Sequence, residues 1–166
     1  AAMASDSAVK PPHSADLVSW SRAADMLDLS LESDPDRCWK IEQRDSLTPW
    51  RLRYLKHALG WQTLLDLTLP GSFPQTCELR AQTGIEVAQR TGNPIVDAEV
   101  YVVGFASAAR LTEDDAATEV LISAICGQGL RLSHGRITLQ KDGLVADPMD
   151  LIRVATSLAR LLMRAV

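Results

Sequence analysis

Residues 50 to 54 read Trp-Arg-Leu-Arg-Tyr, with large apolar side chains at every second position and arginines between them. A strand sends successive side chains to opposite faces, so this spelling makes a ribbon with one dry face and one wet face. The same period recurs along the chain. Leu65, Leu67 and Leu69 alternate with Asp66 and Thr68 and stop at Pro70-Gly71. Cys77, Leu79 and Ala81 alternate with Glu78 and Arg80, and Trp39 and Ile41 share a face within residues 38 to 44. Strands of this kind pair into an antiparallel sheet with one face buried and one in water.

The stretch LRLSHGRITLQ, residues 130 to 140, fixes a register as well as a period. A two-residue loop at His134-Gly135 pairs Ser133 with Arg136, Leu132 with Ile137 and Leu130 with Leu139. All four apolar side chains then share one face, with Arg131 and Thr138 on the other. In RTGNPIVDAEVYVVG, residues 90 to 104, Asn93-Pro94 initiates a turn. The residues after it read as a strand with Val96, Ala98, Val100 and Val102 inward and Asp97, Glu99 and Tyr101 outward.

Helical spacing appears in three places. Ser14 suits a cap and Asp16 the first turn of a helix that carries Leu17, Trp20, Ala24 and Leu27 and ends near Leu27. Leu29 and Leu31 then suggest a short strand, and residues 32 to 36, Glu-Ser-Asp-Pro-Asp, a loop. Thr112 is placed to cap a helix over residues 113 to 126, with acidic residues in its first turn and Gly127 at its stop. Asp147 and Pro148 open a last helix whose stripe is Leu151, Val154, Ala155, Leu158, Leu161 and Leu162, with Arg153, Arg160 and Arg164 opposite. The fold class is therefore α+β, an antiparallel sheet of about six to eight strands. One face is covered by the helices at 113 to 126 and 147 to 166, and the N-terminal helix packs at its edge.

The 166 residues fit one domain, placed here at residues 14 to 166. The opening AAMASDSAVKPPHS lacks an apolar core of the signal-peptide kind, so residues 1 to 13 read as a disordered leader. The net charge of −4 argues against nucleic acid, which calls for a clustered excess of cations. Cys38, Cys77 and Cys126 are far apart and form no CxxC pair, so they read as reduced thiols of a cytoplasmic protein, set against one disulfide and a spare thiol. No apolar run reaches the ~18 residues of a membrane span.

Few residues point to chemistry. His13, His57 and His134 have no partner at metal-ligand spacing, and neither a GxSxG, a GxGxxG nor a P-loop occurs, so no metal or cofactor is expected. Gly127-Gln128-Gly129 reads as a helix stop and a hinge into the hairpin. Asp97, with Asn93 and Thr91, forms a possible ligand loop, set against a plain turn followed by a surface carboxylate. Arg51, Arg53, Lys56 and His57 interleave with Trp50, Tyr54 and Trp61 as a nucleic-acid platform would. Alternation, however, separates those arginines from the aromatics. Arg153, Arg160 and Arg164 form a stripe that suits an acidic partner or a membrane surface, or simply a solvated face.

The stretches WSRAADMLDLSLES, TLLDLTLP, TGNPIVDAEVYVVG, LRLSHGRITL and DPMDLIRVATSLARLL, taken in order, resemble the elements of a loosely defined group of uncharacterised bacterial proteins. The resemblance spans roughly residues 19 to 162. It implies the fold and carries no activity.

The residues thus lead to a non-catalytic protein-interaction or regulatory module whose partner is another protein. Its candidate binding residues are Asp97, Asn93, Arg153, Arg160 and Arg164. The alternative is a small-molecule or lipid-binding domain in which a curved sheet grips the C-terminal helix and Trp20, Trp39, Trp50 and Trp61 line a pocket. An enzyme using Asp97 and Glu99 is a third reading.

Overall fold

The computed structural model describes residues 14–34, 38–58, 60–84 and 86–166. The leader expected over residues 1–13, with His13, lies outside them, as do the side chains of Ser14 and Asp16.

Eight strands form one sheet: β1 (Glu32–Asp34), β2 (Cys38–Gln43), β3 (Trp50–His57), β4 (Gly60–Thr68), β5 (Glu78–Ala81), β6 (Val100–Val103), β7 (Arg131–Ser133) and β8 (Arg136–Asp142). Their spatial order is β1-β2-β3-β4-β8-β7-β5-β6. Every neighbouring pair is antiparallel. The helices are α1 (Ser14–Met26), α2 (Pro94–Glu99), α3 (Asp115–Ile122) and α4 (Pro148–Ala165). The fold is α+β, with the helices on one face of the sheet.

The alternation decides which face that is. Trp50, Leu52 and Tyr54 of β3 are buried, as are Leu65 and Leu67 of β4, Leu79 of β5, Leu132 of β7 and Ile137 and Leu139 of β8. Against them α4 presses Leu151, Ile152, Ala155, Leu158, Leu161 and Leu162. Each leucine or isoleucine among them, taken out of water, stabilises the fold by about 1.5–3 kcal/mol before chain entropy is counted. α1 closes one end through Trp20, whose indole Nε1 donates to the Val145 carbonyl at 2.9 Å. Thr63, buried on the same face, donates to the Gly143 carbonyl at 2.7 Å and accepts from the Val145 N–H at 3.1 Å. The loop into α4 is thereby pinned to β4.

The hairpin has the register its sequence specifies, with Leu132 opposite Ile137 and Ser133 opposite Arg136. Its turn is left-handed at both centres, His134 at φ 52° and Gly135 at φ 71°, as a two-residue loop between twisted strands requires. Asp147 caps α4 by accepting the Asp150 N–H at 3.1 Å.

Four expectations are corrected. Leu29 and Leu31 precede the first strand, which is formed instead by Glu32–Asp34, residues read as loop; the rest of that loop is outside the described residues. Residues 94 to 99 are a helix and not strand, because Asn93 caps: its Oδ1 accepts the N–H groups of Ile95 and Val96 at 3.0 and 3.1 Å. Pro94 then fits the first helical position. Ala98 is accordingly exposed, while Val96 and Val100, four residues apart, stay buried. Asp114, not Thr112, caps α3, accepting the Ala117 N–H at 2.7 Å. Thr112 ends a short 3-10 turn, Ala108–Thr112, and donates to the Thr91 carbonyl. Finally, the helix does not run regularly to Cys126. From Ser123 to Gly127 it widens into a π turn, with the Gln128 N–H returning to the Ser123 carbonyl at 2.9 Å.

Candidate functional site

Among the described residues no helix lies on the other face of the sheet, and cross-strand register sets its side chains in rows. Glu42 lies opposite Arg51, Arg51 opposite Asp66, Asp66 opposite Thr138 and Thr138 opposite Arg131. Along the next row come Lys40, Arg53, Leu64 and Gln140. Antiparallel pairing brings such residues within about 5.5 Å at their Cα atoms, so each row is a continuous surface.

Asp66 is the hub. One oxygen takes Arg136 at 3.1 Å, and the other takes Arg53 at 3.2 Å and Arg51 at 3.8 Å. Three guanidiniums carry more donors than one carboxylate can accept. The surplus is visible: Arg53 Nε is shut off from solvent and has no hydrogen-bond partner among the described residues. Arg131 is exposed and has no ion-pair or hydrogen-bond partner among the described residues.

A groove of about 610 Å³, open to solvent, crosses the strands here, lined by Arg53, Leu64, Asp66, Thr138, Gln140 and Arg131 among others. At one end Gln140 donates to Gln62, and Gln62 donates to Asp142. At the other, beyond Gly129 and Arg131, a second groove of about 450 Å³ continues over Ile125 and Leu130 towards Arg80 and Thr83. The π turn supplies Ile125 to that second groove.

Charge is balanced towards the outer strands and unbalanced in the middle. On β2 the hydrogen bond from Arg44 holds the Glu42 carboxyl below the ordinary glutamate range, with Lys40 and Arg51 adding to it. On β5 the Arg80 hydrogen bond holds Glu86 low, helped by Thr83, and Glu86 in turn raises Arg80. Arg80 also pairs with Glu78 and lies 4.1 Å from the centre of the Tyr101 ring. Between these, strands β3, β4, β8 and β7 carry Arg51, Arg53, Arg136 and Arg131 against Asp66 and Asp142.

The five candidate binding residues named from the sequence lie elsewhere. Asp97 points back into its own turn. Its Oδ1 accepts the Thr91 N–H at 2.7 Å and the Thr91 hydroxyl at 2.9 Å, and its Oδ2 accepts the Gly92 N–H at 3.2 Å. Asn93 is engaged as the cap of α2. Arg153 pairs with Asp150, while Arg160 and Arg164 stand exposed on the outer side of α4. None of these meets the Asp66 cluster. Trp50 and Tyr54 are buried on the inner face, opposite the side of β3 that carries Arg51 and Arg53. Among the described residues no group of histidine, cysteine and carboxylate side chains is arranged to hold a metal ion. No disulfide joins the cysteines, and among the described residues no helix is long and apolar enough to cross a membrane.

No family model, curated protein or solved structure matches this chain.

Alternation had already put Arg51, Arg53, Arg131 and Thr138 on outward faces. It carried no signal that β4 lies beside β8, and that pairing is what brings Asp66 between Arg53 and Arg136.

Proposed function

We propose that this domain is a protein-interaction module without catalysis of its own, and that it takes its partner on the uncovered face of the sheet. The observation that carries this reading is the open groove over β3, β4, β8 and β7, bordered by Arg51, Arg53, Arg131 and Arg136 against Asp66 and Asp142. Arg131 is exposed there and has no ion-pair or hydrogen-bond partner among the described residues, so its guanidinium is open to an acceptor from outside. The alternative, a ligand gripped between sheet and C-terminal helix, is less well supported. α4 meets the sheet through a continuous buried stripe, and Trp20 and Trp50 are core residues of that packing.

A photo-crosslinking amino acid placed at Thr138, and separately at Arg160 on the far side of the molecule, tests the reading in the cells that make the protein. A discrete protein adduct from position 138 and none from position 160 is the expected result. Adducts of equal yield from both, or from neither, would count against it.

A further inference from the structure

We infer that the partner segment is acidic, and that one of its carboxylates sits between Arg53 and Arg131, above Thr138. The inference rests on the interaction-module reading and names the chemistry of its partner.

Three observations converge. Arg51, Arg53 and Arg136 crowd a single carboxylate, Asp66, and like charges held that close repel one another. A second carboxylate relieves that repulsion and accepts donors that Asp66 cannot. Arg53, held to Asp66 by one end of its guanidinium, itself lines the groove. Across the groove Arg131 has no pairing partner among the described residues, and it is separated from Asp66 only by Thr138, whose hydroxyl adds a donor on the same row.

The dimensions favour an extended segment over a lone ion. From β3 to β7 is three strand spacings, roughly 14 Å, and a fourth reaches β5. At about 3.3 Å per residue the two joined grooves take some five or six extended residues. Leu64, half-buried in the first groove, offers apolar contact between the charged positions. Single-stranded nucleic acid fits less well. The aromatics of β3 face the core, and the Tyr101 ring is covered by Arg80, so no ring is presented for stacking near the arginines. The chain as a whole carries a net charge of −4, which opposes a polyanion more than a short acidic segment.

The probe is a labelled peptide of about six glutamates, compared with all-glutamine and all-lysine peptides of the same length. Binding is followed by backbone amide shifts and anisotropy in the full chain. The glutamate peptide is expected to shift amides of Leu64, Arg131 and Thr138 and to bind at least about tenfold more tightly than either control. It should also weaken as salt is raised. Arg131→Glu should weaken it by about tenfold, while Arg160→Glu leaves it within about twofold. Arg131 is exposed, so the variant should keep its fold, which the amide spectrum verifies directly. Equal binding of the glutamine peptide, an unaffected Arg131→Glu variant, or tighter binding of an oligonucleotide or of inorganic phosphate would each overturn the inference. A Thr138 crosslink to a protein whose bound segment is not acidic would overturn the charge inference and leave the interaction module standing. Absence of any crosslink, with the acidic probe still bound, would do the reverse.

Discussion

Asp97 holds Thr91 by two hydrogen bonds at once, one to its backbone N–H at 2.7 Å and one to its hydroxyl at 2.9 Å, and reaches Gly92 with its other oxygen. The carboxylate therefore belongs to the turn that precedes it. Removing it leaves donors around a buried threonine unmet, so Asp97→Ala should destabilise the fold by about 1–3 kcal/mol. Thr91→Val, which removes only the hydroxyl, should cost less. Urea unfolding of the two variants measures this. A stability unchanged in Asp97→Ala would mean the side chain serves a partner instead.

Gly104 ends β6 where the chain nearly touches a neighbouring loop. At φ +82°, a Cβ there would lie 2.1 Å from the Thr76 carbonyl oxygen. Gly104→Ala must therefore shift backbone, and a loss of well over 1 kcal/mol is expected. Gly92→Ala has open space but also a positive φ of +95°, and should cost roughly 1 kcal/mol. Gly127→Ala meets only Ser123 Oγ at 3.9 Å, with no positive φ, and should be neutral or stabilise by about 0.4–1 kcal/mol. Thermal melts of the three should fall in that order.

The cysteines should separate by reactivity. Cys77 is buried, its thiol donates to the Gly104 carbonyl at 3.2 Å, and burial raises its pKa. The folded state then favours the protonated thiol. Its contribution to stability is present below the ordinary thiol pKa and is lost as pH rises through the raised value. Cys126 is exposed, though partial desolvation, and after it the Glu99 charge, also raise its pKa. Alkylation at neutral pH should mark Cys126 first, at a rate that climbs with pH, and reach Cys77 only on unfolding. Mass spectrometry of the intact protein reads both.

Acid should loosen the segment that follows β5. The hydrogen bond from Arg80, then those from Thr83, hold the Glu86 pKa below its ordinary value. A carboxyl depressed in the folded state contributes stability above its unfolded pKa and loses it as pH falls through the folded one. Amide signals of residues 82 to 90 should shift through that acidic window, and Glu86→Gln should abolish the dependence. An identical titration in the variant would sink the assignment to this pair.

The two proline-led helices show what the sequence could and could not disclose. Asp147-Pro148 and Asn93-Pro94 carry the same start signal, a capping side chain before a proline. After Pro148 the apolar residues follow a helical period over many turns, and the helix is legible. After Pro94 the helix lasts only to Glu99, too short for its period to compete with the alternation of the strand behind it. Val96 and Val100 satisfy both readings, so only Ala98 and Asp97 distinguished them. The hairpin was legible down to its register because its pairing is local. The Asp66 cluster was not, because β4 and β8 are distant in sequence and meet only through the sheet order. Legibility here follows contact distance along the chain.

The sheet's outward and inward residues are interleaved one by one along β3, β4 and β8. Replacing an outward side chain leaves the core face untouched, so the proposed partner surface is free to drift by substitution at little cost to folding. Adding or deleting a single residue within those strands is another matter. It would turn Leu52 or Leu65 to the water and Arg53 or Asp66 to the core, removing stability and, with it, the recognition proposed for this face. Evolution of this face is therefore expected to proceed by exchange of side chains at fixed strand length, with changes of length confined to the loops between strands.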